Sequence, residues 1–416
     1  MSNHESAPSP GTHHAVVVVG GGQAGLSMSY CLKHAGIEHV VFEKHRIAHE
    51  WRERRWDSFC LVTPNWQCRL PGQSYDGDDP DGFLLRDEIV AFLERYAASA
   101  PVRTGVDVTG IESRDGGFVL ETSDGPVATR VMIAATGAFQ RPYAPAPLMS
   151  LADRLEVRYV DSYRSPSELP DGGVLIIGSG QTGAQLAEEL REAGRDVALA
   201  CGRAPTVVRR FGGHDSLWWL AEIGFHEQTL EMAGGPPVRL GANPIATGHG
   251  GGHDLGYRTL QASGVELVGH FEGSDGGQIR FADDLAATVA WGDERFRMMM
   301  GGIGKLIAER GLDVELPTLE PFVCDPVTSI PIDRFTSVLC TGGFRPNYGA
   351  WIPWSDAFDE MGFPIQTDGE SSVVDGLFFM GVHFLRKRKS STLWGAGEDA
   401  NVVADRVAAR MGASAS

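Results

Sequence analysis

A glycine-rich loop near the beginning of the chain limits the fold more than any other feature of the sequence. Four consecutive valines, residues 16–19, are followed at once by the pattern G-x-G-x-x-G and then by a helical pattern. This order predicts a β-α-β unit that binds a dinucleotide. Gly20 allows a tight turn, Gly22 lets the backbone approach a pyrophosphate, and Gly25 lets the helix pack closely on the strand.

A second copy of this pattern occurs in the middle of the chain. The apolar residues 173–177 lead into Gly178, Gly180 and Gly183, and the helix that follows ends in Ala-Gly, as the first helix does. A single G-x-G-x-x-G is a weak signal. Two copies in the same strand–loop–helix setting predict two dinucleotide sites in one α/β chain.

The two copies differ where their second strands end. The first ends in Glu43, placed to accept hydrogen bonds from ribose hydroxyls, although a surface carboxylate is the alternative. The second has Arg203 where the first has Glu43, and Arg209 and Arg210 follow. Guanidinium groups can pair with a 2′-phosphate, so these arginines favour NADPH over NADH unless they are solvated surface charges.

Two further stretches are candidate walls of a cofactor pocket. Trp51 and Asn65 belong to a proline-broken region rich in Trp and Arg, which could equally be a surface loop with buried Trp anchors. A buried strand pattern ends in Thr136 and Gly137, small residues that permit close approach of a ligand. The basic residues 386–389 are either a solvated turn or a contact for phosphates.

Composition excludes several classes of partner. The chain has 416 residues and a formal net charge of −18, which argues against nucleic acid or an anionic membrane surface. Its apolar runs are too short to span a membrane, and its six scattered cysteines fit a reducing cytoplasm. His249 and His253 lie in a glycine-rich loop without a third ligand, so no metal is expected. Residues 1–14 are predicted to be a disordered tail.

Taken together, the two glycine motifs, the Thr-Gly strand ends at 136–137 and 341–342, and the glycine-rich start of the last helix resemble the flavoproteins with two dinucleotide-binding domains. Within these, the chain looks like a class B flavoprotein monooxygenase, a relative of the flavin-containing monooxygenases. The resemblance implies an α/β fold with two Rossmann-like domains of the glutathione-reductase type. The FAD domain would comprise residues 15–165 and 325–416, and the NADPH domain, residues 166–324, would be inserted in it.

The resemblance also implies roles for individual residues. Asn65 would lie by the C4a edge of the flavin, and the positive end of the last helix would face the flavin pyrimidine. The residues expected to bind FAD are Gly20, Gly22, Gln23, Ala24, Gly25, Glu43, Lys44, Trp51, Val108, Thr136, Gly137, Gly397 and Asp399. The residues expected to bind NADPH are Gly178, Gly180, Gln181, Thr182, Gly183, Arg203, Arg209 and Arg210.

The activity implied is that of a cytoplasmic monooxygenase. NADPH would reduce FAD, and a flavin C4a-hydroperoxide would oxygenate a small molecule at nitrogen, sulfur or a carbonyl carbon, with O2 as co-substrate. A homodimer is compatible with this resemblance. The chain departs from the family at one fingerprint, F-x-G-x-x-x-H, because residues 158–163 keep only its aromatic end.

Two other functions compete with this one. A disulfide reductase would need a redox-active cysteine pair beside the flavin, and Cys60 and Cys68 are the nearest approach to one. A redox sensor would bind both dinucleotides and signal by domain motion, but the sequence contains no recognisable output domain.

Overall fold

The computed structural model describes residues 12–137 and 139–413. Within them, the chain forms two α/β units, each built on a sheet with a parallel core. The helices are α1 (Gln23–His34), α2 (His49–Glu53), α3 (Arg86–Ala97), α4 (Gln181–Glu192), α5 (Ser216–Glu222), α6 (Tyr257–Ala262), α7 (Leu285–Arg310) and α8 (Leu393–Ala413). None of these helices combines the length and the apolar character needed to cross a membrane.

The strands of the described residues fall into the two main sheets and four small ones. They are β1 (Thr12–Val19), β2 (His39–Glu43), β3 (Arg69–Leu70), β4 (Gln73–Ser74), β5 (Val102–Thr104), β6 (Val108–Arg114), β7 (Gly117–Thr122), β8 (Val127–Ala134), β9 (Arg141–Pro142), β10 (Glu156–Tyr159), β11 (Gly173–Ile177), β12 (Val197–Ala200), β13 (Arg210–Phe211), β14 (His214–Asp215), β15 (Glu266–Val268), β16 (Phe271–Asp275), β17 (Gln278–Phe281), β18 (Ser329–Pro331), β19 (Phe335–Cys340), β20 (Phe344–Arg345), β21 (Gln366–Thr367), β22 (Glu370–Ser371) and β23 (Leu377–Phe379).

The first sheet has the order β21-β22-β23-β8-β1-β2-β5, and the hairpin β6-β7 joins it at β8. β1 lies in its middle, parallel to β2 and β8, and Val19 pairs with both Phe42 and Ala134. Val16, Val17 and Val18 are completely buried, as expected of a β-branched central strand covered on both faces.

The second sheet repeats this arrangement. Its order is β10-β19-β11-β12-β15, all parallel, and β11 lies between β12 and β19. Ile177, the residue before the second glycine loop, pairs with Ala200 and with Cys340. Each glycine loop therefore begins directly after a central strand whose last residue is paired with both neighbouring strands. The helices that follow the two loops, α1 and α4, each contain 12 residues.

The sheet pairings correct the predicted domain boundaries. β10 and β19 belong to the second sheet, so that unit extends beyond residues 166–324 on both sides. The apolar strand pattern before Thr341 predicts a return of the chain to the first domain, but β19 pairs with β10 and β11 in the second sheet. The return follows at β20, which pairs with β9 in a short antiparallel connection between the units.

Three smaller expectations also change. Residues 12–14 are part of β1 and not of a disordered tail, while residues 1–11 lie outside the described residues. The pattern of residues 102–111 predicts a single strand, but these residues contribute to two strands: β5 pairs with β2, and β6 pairs with β7. The last helix begins at Leu393, one to two residues before its glycine-rich segment.

Candidate cofactor and active site

The two glycine loops have the same geometry. Gly20 and Gly178 have φ angles of +111° and +105°, a region that favours glycine. A Cβ added to Gly25 would lie 1.9 Å from the carbonyl oxygen of Gly20, and one added to Gly183 would lie 1.9 Å from that of Gly178. The first and third glycines of each motif are thus required for the turn and for the packing of helix on strand.

The middle glycine of each loop borders open space. A Cβ on Gly22 would meet no atom within 4 Å, and one on Gly180 would meet only the Cβ of Ala242, at 3.7 Å. Gly137, after β8, likewise borders open space. Since Gly22 and Gly180 cap the N-termini of α1 and α4, unpaired backbone N–H groups face both spaces. These cradles fit the pyrophosphates of two dinucleotides.

Glu43 lies at the edge of the first cradle. Its Oε2 accepts a hydrogen bond from the Gly21 N–H at 2.7 Å, and its Oε1 accepts one from the His45 N–H at 2.8 Å. A carboxylate has about four acceptor sites, so two remain for ribose hydroxyls. Glu43 is therefore available to a ribose, and its binding of FAD stays a prediction.

The matching edge of the second cradle differs from the prediction. Because Ala200 takes the place of Phe42 in the sheet register, Cys201 and not Arg203 occupies the position of Glu43. Arg203 follows two residues later, is exposed, and forms no ion pair with any residue that the structure describes. His270 was missed; its Nε2 would lie 3.7 Å from a Cβ at Gly202. Its position directly after β15 was the available signal.

Arg209 and Arg210 both contact the first unit. Arg209 is 1% exposed, and its Nε lies 2.9 Å from Asp215 Oδ2. Its Nη2 donates to the carbonyl oxygen of Val62 at 2.9 Å, and Arg210 Nη2 donates to that of Asp81 at 2.9 Å. Both guanidinium groups thus hold the second unit against the first. The burial of Arg209 and its ion pair disfavour a contact with NADPH, whereas Arg210 is exposed and its role stays a prediction.

The N-terminus of α1 is covered by the C-terminal part of the chain. Trp51 Nε1 donates to Gln23 Oε1 at 3.4 Å, and Gln23 Nε2 donates to the carbonyl oxygen of Ser391 at 3.4 Å. Gly381, with φ +71°, packs so closely that its Cβ would lie 2.8 Å from the Cβ of Ala24. The sequence reasoning missed Gly381 and Ser391, although Gly381 closely follows the buried strand β23.

For four other residues predicted to bind a cofactor, the structure shows contacts with other parts of the protein or a position in a strand. Gln181, in the first turn of α4 beside Thr182, accepts a hydrogen bond from the Ala246 N–H at 3.1 Å. Thr136 Oγ1 accepts one from Gln140 at 3.0 Å. Lys44 is exposed and lies 3.0 Å from Asp107 in an ion pair, and Val108 begins the hairpin strand β6.

Asn65 is buried in a short 3-10 turn, Asn65–Gln67, with 4% of its surface exposed. Its Nδ2 donates to the carbonyl oxygen of Asp79 at 2.9 Å. Its Oδ1 is buried and has no hydrogen-bond partner among the described residues. The amide is thus held in place on one side and free to accept a hydrogen bond on the other.

The two residues predicted on α8 have different surroundings. Gly397 does not border open space, because its Cβ would lie 2.8 Å from Pro71 Cδ; it permits helix packing instead of a cofactor contact. Asp399 is 1% exposed, lies 3.6 Å from Arg386 Nη1, and keeps a buried Oδ2 without a hydrogen-bond partner among the described residues. Burial raises the pKa of its carboxyl to about 6.

The basic residues 386–389 are neither a solvated turn nor an open phosphate site. Lys387 Nζ lies 2.6 Å from Glu227 Oε2, and the buried Lys389 pairs with both Glu227 and Glu398. Arg388 Nη2 donates to Gln228 Oε1 at 2.9 Å. Because Glu227 and Gln228 come from the second unit, this cluster joins the two units.

The cysteines do not form a redox pair. All six are free thiols. Cys60 and Cys68 are buried, and desolvation raises the pKa of the first to about 11 and of the second to about 12. Thiols with such pKa values are poor nucleophiles. The described residues also contain no cluster of three or more His, Cys, Asp or Glu able to hold a metal ion; His249 and His253 instead contact Glu192 and Glu188.

Comparison with known proteins agrees with this geometry. Residues 17–210 match a family model described as pyridine nucleotide-disulphide oxidoreductase. A CzcO-like oxidoreductase of Geobacillus kaustophilus is 30% identical over 389 residues, 92% of this chain and 95% of that protein. A probable indole-3-pyruvate monooxygenase of Arabidopsis thaliana, YUCCA1, is 27% identical over 42% of this chain and 44% of its own length. A flavin-containing monooxygenase structure from Stenotrophomonas maltophilia matches with a TM-score of 0.70 at 19% identity, covering 96% of this chain and 99% of that one.

Fold and site define a two-dinucleotide flavoprotein oxidoreductase. The chain belongs to the family that contains the CzcO-like oxidoreductases and resembles the flavin-containing monooxygenases, as its sequence motifs indicated. It is an oxidoreductase, and its two nucleotide cradles fit two dinucleotides.

Proposed function

We propose that the chain is an NADPH-dependent FAD monooxygenase, which transfers one oxygen atom of O2 to the nitrogen, sulfur or carbonyl carbon of a small organic substrate. The first glycine loop would bind FAD and the second NADPH. The observation that carries this assignment is the difference between two otherwise equal cradles. Glu43 borders the first, whereas the second is bordered by the neutral Cys201 and by Arg203, which has no ion-pair partner in the part of the chain that the structure describes.

This difference favours NADPH at the second loop for an electrostatic reason. A carboxylate repels a 2′-phosphate, while an exposed guanidinium without an ion-pair partner can bind it with two parallel hydrogen bonds. Arg203 meets that requirement. The neighbouring imidazole of His270, which pairs with Asp284, lies on the same edge and would position a further donor there.

The residues at the first loop would hold and shield the flavin. Gly22 and Gly137 leave room for its pyrophosphate and ribityl chain, and Glu43 would hold the adenosine ribose. When bound, the flavin accepts a hydride and activates dioxygen at its C4a position, in keeping with the route expected from the sequence. Asn65 would accept a hydrogen bond at its free Oδ1. The segment around Ser391 would keep water from the N-terminus of α1.

A disulfide reductase is the principal competing function, because the matching family model is named for such enzymes. That reaction needs a thiolate that can attack a disulfide or be attacked beside the flavin. Cys60 and Cys68 are buried with raised pKa values, which disfavours this role.

The proposal is tested by turnover of the FAD-loaded protein with NADPH and isotopically labelled O2. The substrate panel should contain a tertiary amine, a thioether and a ketone. We expect at least one of these to gain one labelled oxygen atom, with one NADPH consumed per product. Hydrogen peroxide as the sole product from every substrate would contradict the proposal. Reduction of a disulfide without consumption of O2 would instead favour the competing function.

A further inference from the structure

Trp394, the second residue of α8, is enclosed by side chains from both units. The Trp66 ring meets it edge-on with 5.5 Å between the ring centroids, and the His226 ring does so from the second unit at 5.2 Å. Arg69 Cζ and Lys389 Nζ lie 4.9 Å and 4.5 Å from the centroid of the same ring. Trp66, His226 and Trp394 are called the aromatic niche below.

The aromatic niche contains buried polar atoms that nothing in the described chain satisfies. Trp66 Nε1 and His226 Nε2 are both buried without a hydrogen-bond partner. The same holds for Gln67 Nε2, which follows Trp66, and for Asn65 Oδ1, which the proposed function already assigns to the flavin. An unsatisfied buried polar atom costs about 1–3 kcal/mol, and native proteins contain few of them. Their concentration in one short turn and the facing histidine indicates that a ligand supplies the missing partners.

The protonation of His226 defines what this ligand must offer. The imidazole donates a hydrogen bond to the Leu217 carbonyl, and burial lowers its pKa to about 4. At neutral pH the ring is therefore uncharged with its proton on the nitrogen facing Leu217, so Nε2 is an acceptor. Trp66 Nε1–H can only donate. The burial that lowers the pKa of His226 also disfavours a charged ligand beside this ring, because a charge would lose its hydration there.

The position of the aromatic niche favours the oxygenated substrate as its occupant. Trp66 directly follows Asn65, and Trp394 is in the first turn of α8, the helix whose N-terminus is expected to face the flavin. His226 reaches it from the second unit, so the niche is complete only when both units are in contact. All three rings are only half-buried, so an aromatic ligand can pack against their exposed parts in edge-to-face geometry.

We propose that Trp66, Trp394 and His226 bind the substrate of this enzyme, and that this substrate is an uncharged flat aromatic molecule with an N–H or O–H group that donates to His226. This inference rests on the proposed function, since it names the substrate class of the same site. His226 is then a residue that determines specificity and takes no part in the reduction of the flavin.

The test compares the binding of two probes, para-cresol and para-methylanisole, which differ in having or lacking the O–H donor. Binding is measured by calorimetry on FAD-loaded protein without NADPH. His226→Phe keeps a ring on Trp394 but removes the acceptor. We expect it to weaken para-cresol binding about tenfold or more, the effect of losing one buried hydrogen bond, and to change para-methylanisole binding less than about twofold. His226→Gln should restore part of the para-cresol affinity, because its amide oxygen accepts.

His214→Phe is the matched control, because His214 also stacks on a tryptophan, Trp218, at 3.8 Å, but is exposed. It should leave the binding of both probes unchanged. An equal loss of both probes in His226→Phe would show a merely structural role and overturn the proposal, as would a wild-type protein that does not bind para-cresol saturably. Since no turnover is involved, these outcomes are distinct from a failure of the oxygenation experiment.

Discussion

At the scale of the residue, the charge next to each nucleotide cradle differs in sign. Glu43 places a carboxylate beside the first loop, where it already accepts two backbone hydrogen bonds. Beside the second loop, the buried Cys201 is uncharged and Arg203 projects into solvent without an ion-pair partner among the described residues. The choice between NADPH and NADH then depends chiefly on one exposed guanidinium.

Arg203→Ala should therefore act on one coenzyme only. We expect the KM for NADPH to rise about tenfold or more, the effect of losing a charge-assisted hydrogen bond, while the KM for NADH changes less than about twofold. Initial rates of NADPH and NADH oxidation measure this. Arg297→Ala, at an exposed arginine on α7, is the control and should change neither value. An equal rise of both KM values in Arg203→Ala would contradict the assignment.

A second prediction at this scale concerns Asp399. Its pKa is raised to about 6 by burial, so the folded protein binds this proton more tightly than the unfolded chain. The carboxyl therefore costs stability above pH 6, and the cost disappears as the pH falls below about 4. Asp399→Asn should be more stable than wild type at pH 8, by at most about 3 kcal/mol, and this gain should shrink on acidification.

Urea unfolding of FAD-free protein at pH 8 and pH 5 measures this difference. Asp375→Asn is the control, because the pKa of Asp375 is shifted in the opposite direction from that of Asp399. Arg410 lowers the pKa of Asp375, so removing that charge gives no gain at pH 8. A gain from Asp399→Asn that is independent of pH would mean that the charge is not its cause.

At the scale of the element, the strand–loop–helix unit is used twice with different glycines performing different tasks. The outer glycines of each motif allow α1 and α4 to pack against their strands, since a Cβ there would collide with backbone. A Cβ added to the middle glycine would meet no protein atom within 4 Å at Gly22, and only the Cβ of Ala242 at Gly180. A substitution at a middle glycine therefore separates cofactor binding from folding.

Gly22→Ala and Gly180→Ala test which loop holds which cofactor. Neither glycine has a positive φ, and both have room for a methyl group, so the melting temperatures of the FAD-free proteins should match wild type. Gly22→Ala should purify with little FAD, because its methyl group fills the space for the pyrophosphate. Gly180→Ala should retain FAD but have a raised KM for NADPH. The reverse pattern would exchange the two assignments.

At the scale of the whole molecule, the features that follow from local sequence were predictable and those that depend on distant partners were not. The glycine spacing and the valine run determine turn, helix and buried strand within about 25 residues, and both loops were predicted correctly. The sheet that receives β19 is decided by pairing with β10 and β11, far away in the chain, so the domain boundaries were missed. The sequence around Arg203 and Arg209 does not show that the first is exposed and the second buried. The burial of Arg209 depends on its contacts with Asp215 and with the distant carbonyl of Val62. Likewise, Glu227 neutralises the basic cluster across 162 residues.

The contact between Gln23 and Ser391 joins residues that are 368 positions apart. During synthesis from the N-terminus, the first glycine loop is made early, but the strand β23 beside β8 and the segment that covers α1 are made almost last. The second unit is by then complete, because its sheet ends with β19. The nascent chain thus passes through a stage in which the second unit can fold while the first cradle lacks one side. If the first cradle holds FAD, as proposed, flavin is captured in one of the final steps of maturation, and a chain truncated before residue 377 should leave the ribosome colourless.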